Sequence, residues 1–253
     1  MTTENQARAD NDRPGKHGHD THAHDHGHHH RDVSGGWLRP AVFGAMDGLV
    51  TNVSLIAGVG GGGLGAHTIV LTGLAGLVAG ACSMATGEYV SVSSQNELVM
   101  AEVNKERLEL EHHPRAEQAE LAAMLRARGV SPATARLAAA EISQDQDKAL
   151  AVHALEELGV DPGELPSPVV AAGASLASFA IGAVIPLFPY LVGWNVLGVA
   201  LGLAAVAAVA GGGLVSRLTD RPFWRGAVRQ LVLGAAAAAI TYGIGAAVGH
   251  VAA

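Results

Sequence analysis

The sequence predicts an all-α, polytopic membrane protein with five transmembrane helices and a three-helix cytoplasmic domain inserted between the second and third. Three observations carry this. First, the 253 residues are 49% hydrophobic and only 15% charged, where a soluble domain carries about 25% charged residues. Second, charge is sparse from Val33 to Gln95 and from Pro166 to Ala253 but dense from Asn96 to Glu164. Third, the apolar stretches reach the roughly 20 residues that a helix needs to cross a hydrocarbon core. The chain therefore divides into a tail (1–36), two spans (37–95), a polar helical domain (96–166) and three more spans (167–253).

The tail is polar and reads as disordered. It lacks an apolar core, so the first apolar segment is read as a retained span rather than a cleaved signal. HGHDTHAHDHGHHH holds eight of the 13 histidines: His17, His19, His22, His24, His26, His28, His29 and His30. Imidazole is the commonest transition-metal ligand, and the longest unbroken run is three, unlike an affinity tag. The tail thus reads as an auxiliary metal-gathering segment. The single cysteine, Cys82, excludes an intrachain disulfide and a Cys-rich zinc site. A net charge of −7 argues against nucleic acid as a partner.

The spans are expected at about 38–60, from near His67 to about Val92, and at about 168–190, 193–214 and 224–249. All are rich in Gly and Ala, which let helices approach closely in lipid. Ala205, Ala208 and Gly212, and Gly234, Ala238 and Tyr242, fall at such spacings. Arg217, Arg221 and Arg225 crowd the last interhelical loop, Arg229 lies just inside the next helix, and Arg31 and Arg39 precede the first span. The loops at Gly60–Ala66 and Leu191–Trp194 have neither Lys nor Arg. The positive-inside rule then puts the N-terminus, the insert and the Arg loop in the cytoplasm, and an odd number of spans leaves the C-terminus outside. A bacterial plasma membrane is the expected location.

In the insert, NELVMAEVNKERLELEHH continues the second span as a polar helix. A second helix opens at Pro114, a residue suited to a first turn, and ends at Gly129. Ser131 caps a third, which continues through DKALAVHALEEL to Gly159, with a break near Ser143 as the alternative.

Two sets of residues carry chemistry. In the insert, Glu106 and Glu109, Glu117 and Glu120, and His153 and Glu157 are three or four apart, so each pair shares one helix face. Acids outnumber bases there by 14 to 7, leaving many carboxylates without a basic partner. Carboxylate with imidazole and no thiolate suits Fe²⁺, Mn²⁺, Co²⁺ or Zn²⁺. Within the spans, Asp47 and Glu88 place carboxylates where burial costs about 2.5–3.5 kcal/mol on insertion scales, which marks them as functional. Met84 lies one turn before Glu88 and offers a soft thioether; Asn52 and Ser54 offer oxygens. Asp47, Met84, Glu88 and Asn52 are thus the expected translocation path.

FGAMDGLVTNVSLIAGV (Phe43–Val59), ACSMATGEYVSVSSQ (Ala81–Gln95) and IPLFPYL (Ile185–Leu191), in that order around the insert, resemble the vacuolar iron transporter family. The resemblance covers nearly all of residues 37–250. It implies a homodimer with five spans per subunit that carries Fe²⁺ out of the cytosol in exchange for protons. It also implies that Asp47 and Met84 line a path at the dimer interface, and that Glu106, Glu109, Glu117, Glu120 and Glu157 bind metal. Where plant relatives carry a methionine ligand, this chain has His153, so an altered metal preference is expected. Fe²⁺ is then substrate rather than resident cofactor, with Mn²⁺, Co²⁺ and Zn²⁺ as alternatives. Two other readings are a membrane-bound di-iron oxidase and a metal-binding storage or sensor protein without transport. Di-iron bundles use Glu-x-x-His on two helices, which the insert does not supply, and a pure binder leaves Asp47 without a role.

Overall fold

The computed structural model describes residues 36–252, and among them every regular element is helical. The histidine-rich segment from His17 to His30 lies outside the described residues. Eight α-helices follow in order: α1 Leu38–Gly61, α2 Ala66–His112, α3 Pro114–Ala127, α4 Pro132–Ile142, α5 Gln146–His153, α6 Pro168–Leu191, α7 Leu197–Leu218 and α8 Phe223–Ala252. A single π turn, Ala154–Leu158, extends α5. Five helices are long and apolar enough to cross a membrane: α1, α2, α6, α7 and α8.

Glycine decides how the spans meet. Gly44 and Gly48 of α1 lie against the backbone of α6 at Ser175 and Phe179, and Gly182 of α6 returns the contact on Ala45. On another face of α1, Gly58, Gly61 and Gly62 lie against Thr241, Tyr242, Gly245 and Gly249 of α8. Gly212 of α7 and Gly226 of α8 pack backbone to backbone. Close approach of this kind supplies the dispersion contacts that hold helices together in lipid, where hydrophobicity does not. A Cβ at Gly48 would collide with the Phe179 carbonyl. Gly48→Val is therefore expected to force α1 from α6 and cost about 1–3 kcal/mol, the usual range for overpacking. A drop in thermal unfolding temperature in detergent checks it, with Gly87→Val, which meets open space, as the comparison.

The ends of the bundle sort by chemistry. Asn96 of α2 donates to the Pro166 carbonyl at 2.9 Å, and Gly36 abuts Pro166. The start of α1, the outer reach of α2 and the start of α6 therefore share one end. Chain direction puts the α7–α8 turn there too, with Arg217 stacked on Phe223 and Arg225 on Trp224. At the opposite end Gly60 meets Leu197 and Gly62 meets Gly249. All three tryptophans, Trp37, Trp194 and Trp224, are exposed at helix ends, the positions that interfacial anchors occupy.

The sequence placed the fourth span at about 193–214, whereas α7 runs Leu197–Leu218. Gly193 takes φ +85°, and Trp194, Asn195 and Val196 form the connection after it. That left-handed residue stops α6, and the next helix starts four residues later than hydropathy suggested.

α2 has 47 residues, about 70 Å at 1.5 Å per residue, more than twice a hydrocarbon core. Its outer half enters the insert. There Val103 and Leu110 bury against Ala149, Leu150 and Ala154, while Leu121 and Ala122 of α3 bury against Ala139 of α4. The third insert helix is broken, the alternative the sequence left open. Ser143 caps the end of α4, and the Asp145 side chain accepts from the Lys148 N–H at 3.2 Å to start α5. Ser131 caps α4 through the Thr134 N–H, and Gly129 and Gly159 close their segments at φ +95° and +69°.

Candidate metal centre

His153, the last residue of α5, is 0% exposed. Its Nδ1 lies 2.9 Å from Oε1 of Glu106 on α2, 3.1 Å from Oε1 of Glu157 in the π turn and 3.8 Å from Oε2 of Glu117 on α3. Three separate segments thus aim three carboxylates at one ring nitrogen. An imidazole nitrogen carries at most one proton, so it can satisfy one of those oxygens and leaves the others facing like charges. The Glu106 oxygen is buried without a hydrogen bond of good geometry, and so is His153 Nε2. One ligand atom from each of Glu106, His153 and Glu157 falls within 4.8 Å of the others. The Nδ1–Oε1 distances of 2.9 and 3.1 Å suit neighbouring ligands held at about 2.0–2.2 Å by one ion.

Local structure explains the convergence. The π turn inserts its extra residue directly after His153, a distortion that recurs at functional sites. Arg128 Nε, at the end of α3, binds Glu156 Oε2 at 2.7 Å and fastens that turn to the neighbouring helix. This clamp had no signal in the sequence, because Arg128 and Glu156 are 28 residues apart with no shared periodicity. Pro114 starts α3 right after α2, which folds Glu117 back toward Glu106.

Burial, then the charge of Glu157, pushes the Glu106 carboxyl up from 4.5 to about 7, with Glu117 and Glu120 adding to the rise and His153 opposing it. Burial and Glu120 raise Glu117 in the same way. A carboxyl whose folded pKa lies above its unfolded value adds stability below the unfolded value and loses it as pH climbs through the folded one. The metal-free insert should therefore lose stability between about pH 4.5 and 7 through Glu106. Metal affinity should move oppositely, because a cation must displace that proton. Titrating Co²⁺ binding of the Glu106 wild type and of Glu106→Gln from pH 5 to 8 checks this: the gain with pH should be markedly smaller in the variant.

Of the six residues predicted in the insert, Glu106, Glu117, His153 and Glu157 meet directly. Glu120 acts on Glu106 and Glu117 through its charge. Glu109 does not join them: its carboxylate turns outward to His113. The insert does contain one Glu-x-x-His spacing, Glu109 and His112, but His112 is exposed with Nδ1 2.7 Å from the Leu108 carbonyl.

In the spans, Asp47 is half-buried and accepts a hydrogen bond from Thr51 at 3.3 Å. Among the described residues no Lys or Arg pairs with it. The hairpin of α1 and α2 brings Leu55 to Gly76, and Phe179 touches both Gly48 and Gly80. This register puts Asp47 level with Met84. Met84 packs against Ala81, Phe179 and Ala183, and Glu88 follows one turn on, half-buried. Asn52 is 1% exposed and donates through Nδ2 to the Ala183 carbonyl of α6 at 2.6 Å, while its Oδ1 is buried without a hydrogen-bond partner. It lies about 140° around α1 from Asp47 by helix geometry. Ser54 is buried as well, its hydroxyl without a hydrogen-bond partner.

Fold and site together define a helical integral membrane protein with five spans and a carboxylate–imidazole cluster between the second and third. Residues 38–246 match the model of the VIT family. The chain is similar to "Vacuolar iron transporter" of Acanthamoeba castellanii, 36% identical over 87% of this chain and 82% of that protein. It is also similar to "Vacuolar iron transporter homolog 1" of Oryza sativa subsp. japonica, 37% identical over 82% of this chain and 72% of the relative. "VIT-like transporter 1b" of Glycine max is 32% identical over 82% of this chain and 74% of its own length. The chain belongs to the VIT family.

Proposed function

We propose that this protein carries a divalent transition metal, Fe²⁺ foremost, across its membrane in exchange for protons. The observation that carries the reading is the convergence of Glu106, Glu117 and Glu157 on His153, with Glu106 on the same long helix that bears Met84 and Glu88. The names of its relatives, which specify iron transport, support the choice of cargo.

The insert, residues 96–166, faces the cytosol in this reading. The Arg-rich α7–α8 turn lies at the same end, and basic loops stay inside. The cluster captures the ion, helped by the tail histidines and by Glu109 and Glu120. Mn²⁺, Co²⁺ and Zn²⁺ suit the same donors. The ion then enters between two subunits of a homodimer, where Asp47, Met84 and Glu88 replace its water. Protons from the far side compete for the carboxylates and release it outward, so iron leaves the cytosol of a bacterial cell across its plasma membrane.

Uptake into proteoliposomes tests the proposal. Fe²⁺ should accumulate when an inward-acid gradient is imposed, and the lumen should lose protons as it fills. Accumulation that ignores the gradient would remove proton exchange; absence of any metal movement would remove transport.

A further inference from the structure

Between Pro166 and Ala253 the chain holds four arginines and a single acid: Arg217, Arg221, Arg225 and Arg229 against Asp220. In a protein of net charge −7 this is a local excess of positive charge, gathered around the α7–α8 turn. All four arginines are exposed, and among the described residues none of them has a carboxylate partner. The turn holds them close. Gly212 and Gly226 bring α7 and α8 together backbone to backbone. Asp220 takes φ +51°, and the Arg221 N–H bonds at 2.8 Å to the carbonyl of Ser216, the residue before Arg217. Arg217 lies over the Phe223 ring at 5.7 Å, and Arg225 over the exposed Trp224 ring at 5.6 Å. Tryptophan at the end of a span marks the headgroup level of a bilayer.

Along α8, one of the five candidate spans, the surface changes character in one direction. Arg225, Arg229, Leu233, Ala236 and Ile240 follow at three- and four-residue spacing and so share one face. All five are exposed, the two charged ones near the turn and the three apolar ones deeper in the span. A phospholipid has the same layout, with phosphate first and hydrocarbon after it.

We infer that the α7–α8 turn and the adjoining face of α8 bind an anionic phospholipid. Its phosphate meets the arginines, and its acyl chains lie along Leu233 and Ile240. A guanidinium pairs with two phosphate oxygens at once, and stacking on Phe223 and Trp224 holds two of the four in place. Basic clusters beside a span recognise acidic headgroups in this way. A soluble anion would use the arginines but leave the apolar part of the stripe without a role. The inference needs no metal, so it stands apart from the transport reading.

Thermal unfolding of the full-length protein in detergent tests the site. The probes are phosphatidylglycerol, phosphatidylcholine with the same chains, and inorganic phosphate. Phosphatidylglycerol should raise the unfolding temperature by several degrees, and the other two should leave it unchanged. Arg225→Gln with Arg229→Gln should remove most of that rise. Arg39→Gln, an exposed arginine at the same end of the bundle, should keep it. On the wild type alone, added salt should shrink the rise, because screening weakens the attraction between guanidinium and phosphate. A rise that phosphatidylcholine reproduces, that survives the double substitution or that ignores salt would overturn the inference. So would its loss in Arg39→Gln, which would mean diffuse charge rather than a site. An equal rise with inorganic phosphate would overturn the lipid as occupant.

Discussion

Asp47→Asn is expected to abolish metal uptake in proteoliposomes while the purified protein unfolds at close to its normal temperature. Asn matches Asp in shape and still accepts the Thr51 hydrogen bond seen at 3.3 Å, so packing is preserved. What disappears is the charge. A divalent ion leaving water for a low-dielectric site must be compensated by fixed negative charge, because its desolvation otherwise costs far more than neutral oxygens return. Among the described residues Asp47 has no basic partner, so its charge is available to an ion. At least a hundredfold loss of rate is expected, since even about 3 kcal/mol of lost stabilisation along the path exceeds that factor. Normal flux in this variant would exclude Asp47 from the path.

The second large effect is at His153. His153→Ala removes the one group that faces Glu106, Glu157 and Glu117 at 2.9, 3.1 and 3.8 Å. Removing one partner from a buried charged set costs about 3–5 kcal/mol when the rest stay dry. Glu157 is partly exposed and water screens it, so about 2–3 kcal/mol is the expected loss for the metal-free protein. Metal affinity should fall at least tenfold, as expected when a site loses an orienting partner or more. His153→Met separates the two effects. It fills the space and keeps a ligand atom, but a thioether is softer than imidazole, so preference should move from Fe²⁺ toward the softer Zn²⁺. Thermal unfolding without metal and competitive binding of Zn²⁺ against Fe²⁺ check both arms. An unchanged preference in His153→Met would show that this position does not ligate.

The pairs at three- and four-residue spacing identified Glu106, Glu117, His153 and Glu157, because a helix face is a local property. Spacing could not say which way each pair turns. Glu109 shares its face with Glu106 but binds His113, since the chain reverses at Pro114 just beyond it. Asn52 offered an oxygen in a span; its nitrogen is tied to a carbonyl 131 residues away while its Oδ1 stays without a hydrogen-bond partner, a division spacing could not reveal. The Arg128–Glu156 clamp and the π turn after His153 were equally hidden. Each depends on how helices meet rather than on the run of residues within one.

By itself, then, the sequence determined the five apolar helices, the polar insert and the segregation of arginine to one end. Hydropathy, helix length and capping act within a few turns and need no neighbour to be read. Only the tertiary structure decided that glycines bring α1 against both α6 and α8, and that three carboxylates close on one buried imidazole. Those outcomes rest on contact between surfaces far apart along the chain, where shape and like-charge crowding are set jointly by every helix that meets there.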